Sequence, residues 1–174
     1  MKTTFLQILL TVFAVLVVFA GVQFTMQSFR VEGRSMQPSY EDDQYIIVDK
    51  LTYRFSSPNR GDVIVFRNPG TSGQLLVKRI VGMPGETVEI RNGEIYVDGA
   101  LLDETPQFGR LPYDGYLEEV PADHYWVIGD NRQISSGSHT FGTVGRDAII
   151  GKARVSYWPP GEWGLSPSYA ASVE

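Results

Sequence analysis

Phe5-Leu-Gln-Ile-Leu-Leu-Thr-Val-Phe-Ala-Val-Leu-Val-Val-Phe-Ala-Gly-Val-Gln-Phe24 is apolar apart from Gln7, Thr11, Gly21 and Gln23. It lies within a longer run, Thr3 to Phe29, of 27 positions without a charge. A helix of about 20 residues spans the roughly 30 Å hydrocarbon core of a bilayer, so the stretch predicts a transmembrane helix. A cleavable secretory leader has a shorter apolar region and a small-x-small exit. Here the run leaves through Val22-Gln23-Phe24-Thr25-Met26, which offers no such exit, and the expectation is an uncleaved anchor. The chain of 174 residues thus divides into an N-terminal tail and anchor, residues 1–29, and a domain, residues 30–174.

That domain carries 14 basic and 20 acidic residues, a net charge of about −6. No basic cluster appears along it, and nucleic acid is not an expected partner. With no cysteine, neither a disulfide framework nor a thiolate metal site can form. The two histidines, His124 and His139, show no metal-ligand spacing. Lys2 precedes the anchor, whereas Arg30, Glu32, Arg34 and the acidic Glu41-Asp42-Asp43 follow it. The positive-inside rule then favours a cytoplasmic N-terminus and a translocated domain.

Beyond residue 29 the helical period disappears. Short runs rich in Val, Ile, Tyr and Phe alternate with turn residues, as strands do. Strands are expected at 44–50, 62–67, 75–81, 87–91, 94–98, 125–128 and 148–158. Asn92-Gly93 between two alternating runs signals a type I′ hairpin. Residues 99–123 are poorer in pattern and read as an extended loop or side flap. The fold class is an all-β, antiparallel, sandwich- or barrel-like domain behind one transmembrane helix.

Two residues in this domain bear on chemistry. In the strand at 75–81, alternation sets Leu76, Lys78 and Ile80 on one face and Val77, Arg79 and Val81 on the other. A buried Arg stays charged, but a buried Lys can lose its proton. Lowering a lysine from about 10.4 to near 7.5 takes roughly 4 kcal/mol, within the range that burial supplies. Such a lysine can serve as a general base. Taken alone, the strand fits better a lysine snorkelling from a sheet edge or held in an ion pair. Lys50 follows Asp49 as a solvated pair, and Lys152, sharing its face with Arg154, is expected to be exposed. The serine is Ser35, bracketed by Gly33 and Pro38 in Gly33-Arg-Ser-Met-Gln-Pro38. This segment can present a hydroxyl from a tight turn and aim the Ser35 amide at an oxyanion. Without further context, an ordinary turn serine is the better description.

Four blocks in order carry a resemblance. They are Gly33-x-Ser35-Met36-x-Pro38, Arg60-Gly-Asp-Val-Ile-Val-Phe66, Val77-Lys-Arg-Ile-Val-Gly-x-Pro-Gly-Glu86, and Gly129-Asp-Asn-Arg-x-x-Ser135. With the anchor before them they resemble the type I signal peptidases, which act through a Ser-Lys dyad. The resemblance implies that Ser35 is the nucleophile and Lys78 the neutral base. It implies that Ser135 bonds and orients the amine, while Arg79 and Asp130 support the site. Phe29, Val31 and Val77 match residues lining shallow pockets for small side chains at −1 and −3. Some members add a hydroxyl donor at the position of Gly33, which here is missing. The implied substrates are pre-proteins bearing signal peptides, cleaved at a plasma or inner membrane, with no metal or organic cofactor. Ser35 follows Phe24 by 11 positions, so it lies within about 36 Å of the bilayer boundary. A pre-protein presents its cleavage site at a similar height.

One departure stands out: the family usually reads Ser-x-Asp-Ser after the last block, and here Gly137 replaces the carboxylate. Facing His139, an Asp would restrict a flexible Ser-Ser-Gly-Ser loop, and Gly137→Asp is expected to stabilise slightly. Two other readings remain at this point: a related Ser-Lys processing peptidase with narrower substrates, and a non-catalytic anchored β-domain that binds a partner. A Ser-His-Asp triad using His124 or His139 is formally possible. Arg60-Gly61-Asp62 is also an adhesion tripeptide, but it leads into a strand. Tyr157, Trp158, Trp163 and Tyr169 suggest a membrane-facing aromatic patch.

Overall fold

The computed structural model describes residues 2–71, 73–104, 108–167 and 172–173. Helix α1 spans Lys2–Thr25, and within it Leu6–Thr25 is long and apolar enough to cross a bilayer. From Leu6 to Phe24 its large side chains stand exposed, with no protein packed against them. Two threonine hydroxyls are satisfied inside the helix: Thr11 Oγ1 donates to Gln7 O at 2.9 Å and Thr25 Oγ1 to Val22 O at 3.1 Å. In a bilayer no water would be present to do this.

The last turn of α1 is closed by one residue of the domain. Lys50 N–H donates to Thr25 O at 2.9 Å and Lys50 Nζ to Gln23 O at 3.4 Å. A cation there meets otherwise orphaned carbonyls at the negative end of the helix dipole. Strand β1 (Met26–Arg30) begins at once and pairs antiparallel with β2 (Tyr45–Asp49), Met26 opposite Asp49 and Arg30 opposite Tyr45. The anchor therefore runs into the sheet with no linker.

The domain holds two antiparallel sheets. The first also contains β3 (Val63–Arg67), β4 (Leu75–Gly82), β9 (His124–Ile128), β10 (Val144–Gly145), β11 (Ile149–Trp158) and β12 (Gly164–Leu165). Its order is β1-β2-β11-β3-β4-β9-β10, with β12 on the side of β11. The second contains β5 (Thr87–Arg91), β6 (Glu94–Val97), β7 (Ala100–Asp103), β8 (Tyr116–Glu119) and β13 (Ser172–Val173), ordered β13-β7-β6-β5-β8. Two one-turn helices complete it, α2 (Thr52–Phe55) and α3 (Ser138–Phe141).

The antiparallel all-β expectation holds, and each of the seven expected strands is present within a residue or two. Asn92 and Gly93 have φ of 52° and 74°, both positive as a type I′ turn requires. The stretch 99–123 is not wholly loop: it contributes β7 and β8. Those strands were hidden because each has four residues and weak alternation, β7 burying only Leu102 and β8 nothing fully. The turn Asp98-Gly99, with φ of 51° and 83°, directly precedes β7 and is a sequence signal for that strand.

Three apolar clusters form the core. One joins the second sheet to Trp126 and Val81, one packs Val31, Met36 and Tyr40 beneath β2 and β3, and one gathers Ile64, Phe66, Ile80 and Val127. Gly82 sits where β4 passes from the first sheet into the first of these clusters. A Cβ there would stand 2.5 Å from Val88 Cγ2 and 2.8 Å from Trp126 Cβ. Gly82→Ala is expected to destabilise by about 1–3 kcal/mol through overpacking, read as a lower denaturant midpoint of the full chain in micelles.

Candidate active site

Ser35 sits in a turn held from below. Val31, Met36 and Tyr40 are buried around it, and Tyr40 N–H donates to Met36 O at 3.0 Å. Gly33 has φ +81°, a left-handed conformation that a side chain would strain, and its amide donates to Asp42 Oδ1 at 2.7 Å. From above, Asn131 clamps the turn: its N–H donates to Ser35 O at 3.1 Å and its Nδ2 to Arg34 O at 3.2 Å. The Ser35 amide has no hydrogen-bond partner among the described residues. That leaves it available to an incoming oxyanion.

Lys78 lies mid-strand in β4 and is 4% exposed. Its neighbours Leu76 and Ile80 belong to the third apolar cluster, as the alternation predicted. Burial drives its pKa down to about 8, against a smaller opposing pull from the Asp130 charge. Lys78 Nζ donates to Ser135 Oγ at 3.0 Å. That hydroxyl also accepts from Gly129 N–H at 2.9 Å and donates to Ser136 O at 3.1 Å. With its own proton committed to Ser136, Ser135 can only accept from the lysine, which fixes the direction of the amine. A Cβ placed on Gly129 would lie 2.2 Å from Ser35 O and 2.3 Å from Ser135 Oγ. The Ser35 turn and the lysine's partner thus both close on the same glycine. Ser35 Oγ and Lys78 Nζ make no direct hydrogen bond here, a separation common in unliganded sites.

Arg79 points to the other face and stays charged. It is 1% exposed and forms a two-pronged pair with Asp130, Nε to Oδ1 at 2.7 Å and Nη2 to Oδ2 at 2.5 Å. Nη1 donates to Gly61 O and Pro167 O, and Nη2 reaches Ser39 Oγ at 3.4 Å, in the turn that carries Ser35. The pair is a brace between β4, the end of β9 and that turn. Phe29, Val31 and Val77 line one side of an open cleft of about 460 Å³ that includes Ser35.

Other candidates fall away. His124 Nδ1 lies 2.9 Å from Ala122 O. His139 stacks on Tyr113, whose hydroxyl is 2.7 Å from its Nε2, and burial followed by the Lys78 charge lowers its pKa. Neither ring contacts Ser35. Arg60-Gly61-Asp62 is not displayed: Asp62 is buried and takes Tyr53 OH at 2.8 Å and Asn59 N–H at 3.1 Å. It also takes Lys152, which is therefore mostly covered rather than exposed. Lys152 keeps the face it shares with Arg154, opposite the buried Gly151 and Ala153. It is covered because β11 pairs with β3 and Asp62 lies just before that strand. The register shift between Ala153 and Val155 comes after it and leaves Val155 exposed. Trp158 and Trp163 are exposed with Leu165, and Tyr157 bonds Ser28 of β1 at 2.7 Å. Tyr169 lies outside the described residues.

The expectation at Gly137 is overturned. Its φ of −137° is open to any residue, yet a Cβ would meet Val127 O at 2.7 Å and Ile128 side-chain carbons at 3.0 Å. The obstacle is backbone, so an Asp has no room, and His139 already has Tyr113. Ser138 Oγ accepts from Val127 N–H at 2.8 Å and holds the loop to β9 instead. No carboxylate is needed for Ser135 to reach Lys78.

A serine on a turn and a buried lysine of lowered pKa, brought to the same glycine by the Ser35 carbonyl and the Ser135 hydroxyl, are equipment that suits a Ser-Lys hydrolase. Comparison with known proteins gives the particular family. A family model described as "Signal peptidase, peptidase S26" matches residues 4–158. A signal peptidase I of Leptolyngbya laminosa is 39% identical over 157 residues, covering 84% of this chain and 77% of that protein. A signal peptidase I of Bacillus caldolyticus is 37% identical over 161 residues, covering 84% and 87%. A solved signal peptidase I from Enterococcus faecalis is 32% identical and covers 56% of this chain and 97% of its own, with a TM-score of 0.47. The chain belongs to the S26 signal peptidase family, and it is a serine endopeptidase.

A depressed lysine pKa gives stability that is present above the unfolded value near 10.4 and is lost as pH falls through about 8. Lys78→Met, which removes the charge but keeps the stem, is expected to raise stability at pH 7 by on the order of 2–3 kcal/mol, measured by denaturant titration. The acid limb of turnover should fall near pH 8 and persist in the double variant His124→Gln, His139→Gln. Gly137→Asp is expected to lower the melting temperature, by an amount equivalent to about 1–3 kcal/mol.

Proposed function

We propose that the chain removes N-terminal signal peptides from translocated pre-proteins, with Ser35 as nucleophile and Lys78 as general base. The observation that carries the reading is the buried Lys78 amine held by Ser135, against the same glycine that touches the Ser35 turn. As Ser35 Oγ attacks the carbonyl carbon of the −1 residue, its proton passes to neutral Lys78. The oxyanion takes the unpartnered Ser35 N–H, and the missing hydroxyl at Gly33 leaves this backbone donor the larger share. The lysine ammonium then protonates the departing amine of the mature protein, leaving a serine ester on the signal peptide. Water, deprotonated by Lys78, attacks the ester and frees a carboxylic acid and the Ser35 hydroxyl.

Phe29, Val31 and Val77 supply apolar lining to the cleft that includes Ser35, among polar Arg30, Glu32 and Gln74, and these apolar residues suit small side chains at −1 and −3. Helix α1 is read as a membrane anchor with its N-terminus in the cytoplasm and the domain on the translocated side. Since β1 follows α1 directly, the serine is held close to the bilayer, where a pre-protein's cleavage site emerges. The exposed Trp158, Trp163 and Leu165 suit a face resting on the bilayer surface.

The test uses the full chain in micelles and a peptide with Ala at −1 and −3. Ser35→Ala and Lys78→Met should each lower turnover about a thousandfold or more with the fold retained. Substantial turnover by either would remove the dyad. External protease should digest the region after residue 30 in intact spheroplasts; protection until detergent is added would reverse the orientation.

A further inference from the structure

Of the 14 Lys and Arg residues after the anchor, eight are paired with carboxylates. Among the described residues the other six, Arg34, Lys50, Arg54, Arg67, Lys78 and Arg146, have no carboxylate partner. Arg34 and Lys78 belong to the site already described. The remaining four line one cleft of about 320 Å³ between α2, the end of β3 and the start of β11, and no acidic residue lines it. In a domain of net charge about −6, four unpaired cations converging on one hollow stand out as an arrangement for an absent anion. Asp49 and Asp147 neighbour two of these cations in sequence but do not line the cleft; Asp49 is taken up by Arg154 and the Leu51 and Thr52 amides.

The cleft's position identifies the source of the anion. Lys50 contacts both terminal carbonyls of α1, so the cleft opens where the anchor ends. Phe55 of α2, next in sequence to Arg54, is 86% exposed, an apolar ring free to enter the interfacial layer. Arg146 is held in advance: its Nη2 donates to Tyr53 O at 2.8 Å and Ser56 O at 3.1 Å, leaving other N–H groups for a phosphate fork. Ile149 and Ile150 supply an apolar wall beside the charges.

We propose that this cleft seats the phosphate of an anionic lipid headgroup at the membrane surface, resting on the reading of α1 as an anchor. The headgroup sets the rotation of the domain about its anchor. It also offsets the repulsion between an acidic domain and an anionic bilayer.

The experiment retains lipid on the full chain. The protein is purified in micelles doped with equal phosphatidylglycerol and phosphatidylcholine, and bound lipid is read by native mass spectrometry. Phosphatidylglycerol should be retained in preference. The double variant Arg54→Gln, Arg67→Gln, at two exposed side chains outside the catalytic machinery, should reduce that preference about tenfold. Its cleavage of the peptide in lipid-free micelles should be unchanged. Equal retention of phosphatidylglycerol by the variant would overturn the proposal. Displacement of the lipid by millimolar glycerol 1-phosphate would also overturn it, making the cleft a site for soluble phosphates. Flotation with pure phosphatidylcholine vesicles checks the anchor separately, and its failure would remove the anchor and the lipid occupant together.

Discussion

Two cations stand side by side on one buried strand, and only one of them is given a carboxylate. Arg79 takes Asp130 on both prongs in a fully buried pair, while Lys78, on the opposite face, takes only the hydroxyl of Ser135. Charge inside a protein must be paired or surrendered. The guanidinium cannot surrender its proton, so it is paired, and the amine can, so burial works on it. Asp130 still pulls on Lys78, but Arg79 already uses both of its carboxylate oxygens. Were that brace absent, an unpaired carboxylate beside the amine would favour the ammonium form and oppose the proposed base. The same brace reaches Ser39 and so ties the Ser35 turn to the strand carrying the lysine.

The anchor and the site are mechanically one element. α1 ends at Thr25, β1 begins at Met26, and Val31 starts the Ser35 turn, with ladder hydrogen bonds to β2 along the way. Lys50 then ties the helix end back to the far end of β2. A flexible linker would let the serine roam over a volume; this joint holds it near one height above the helix end. For an enzyme whose proposed substrate is itself tethered by an apolar segment, matching heights replaces a search in three dimensions by one in a plane. The four-cation cleft lies at that same joint, where a bound headgroup would restrict the remaining rotation.

The departure at Gly137 shows how a site can keep its geometry after losing a family residue. The loop after Ser135 is packed so closely on β9 that no side chain fits, and Ser138 bonds the strand from the next position. His139, left without a carboxylate, stacks with Tyr113. Close packing and one hydrogen bond hold this loop on β9, and Ser135 reaches the lysine.

The sequence by itself determined the anchor, the antiparallel class, seven strands and the identity of the dyad candidates. These rest on local rules: an uncharged run long enough for a bilayer, alternation of period two, and Asn-Gly in a hairpin turn. Even the β7 turn was legible in Asp98-Gly99, although β7 and β8 were too short and weakly patterned to be seen as strands. Tertiary structure alone decided which of Lys78 and Arg79 would meet Asp130, because that depends on how the end of β9 crosses β4. It decided that Lys152 would fold onto Asp62, since the pairing of β11 with β3 brings together two residues 90 positions apart. It also assembled Lys50, Arg54, Arg67 and Arg146, nearly a hundred positions apart, into one cleft. Periodicity reports which side of its own element a residue faces; only the packing of elements says what waits there.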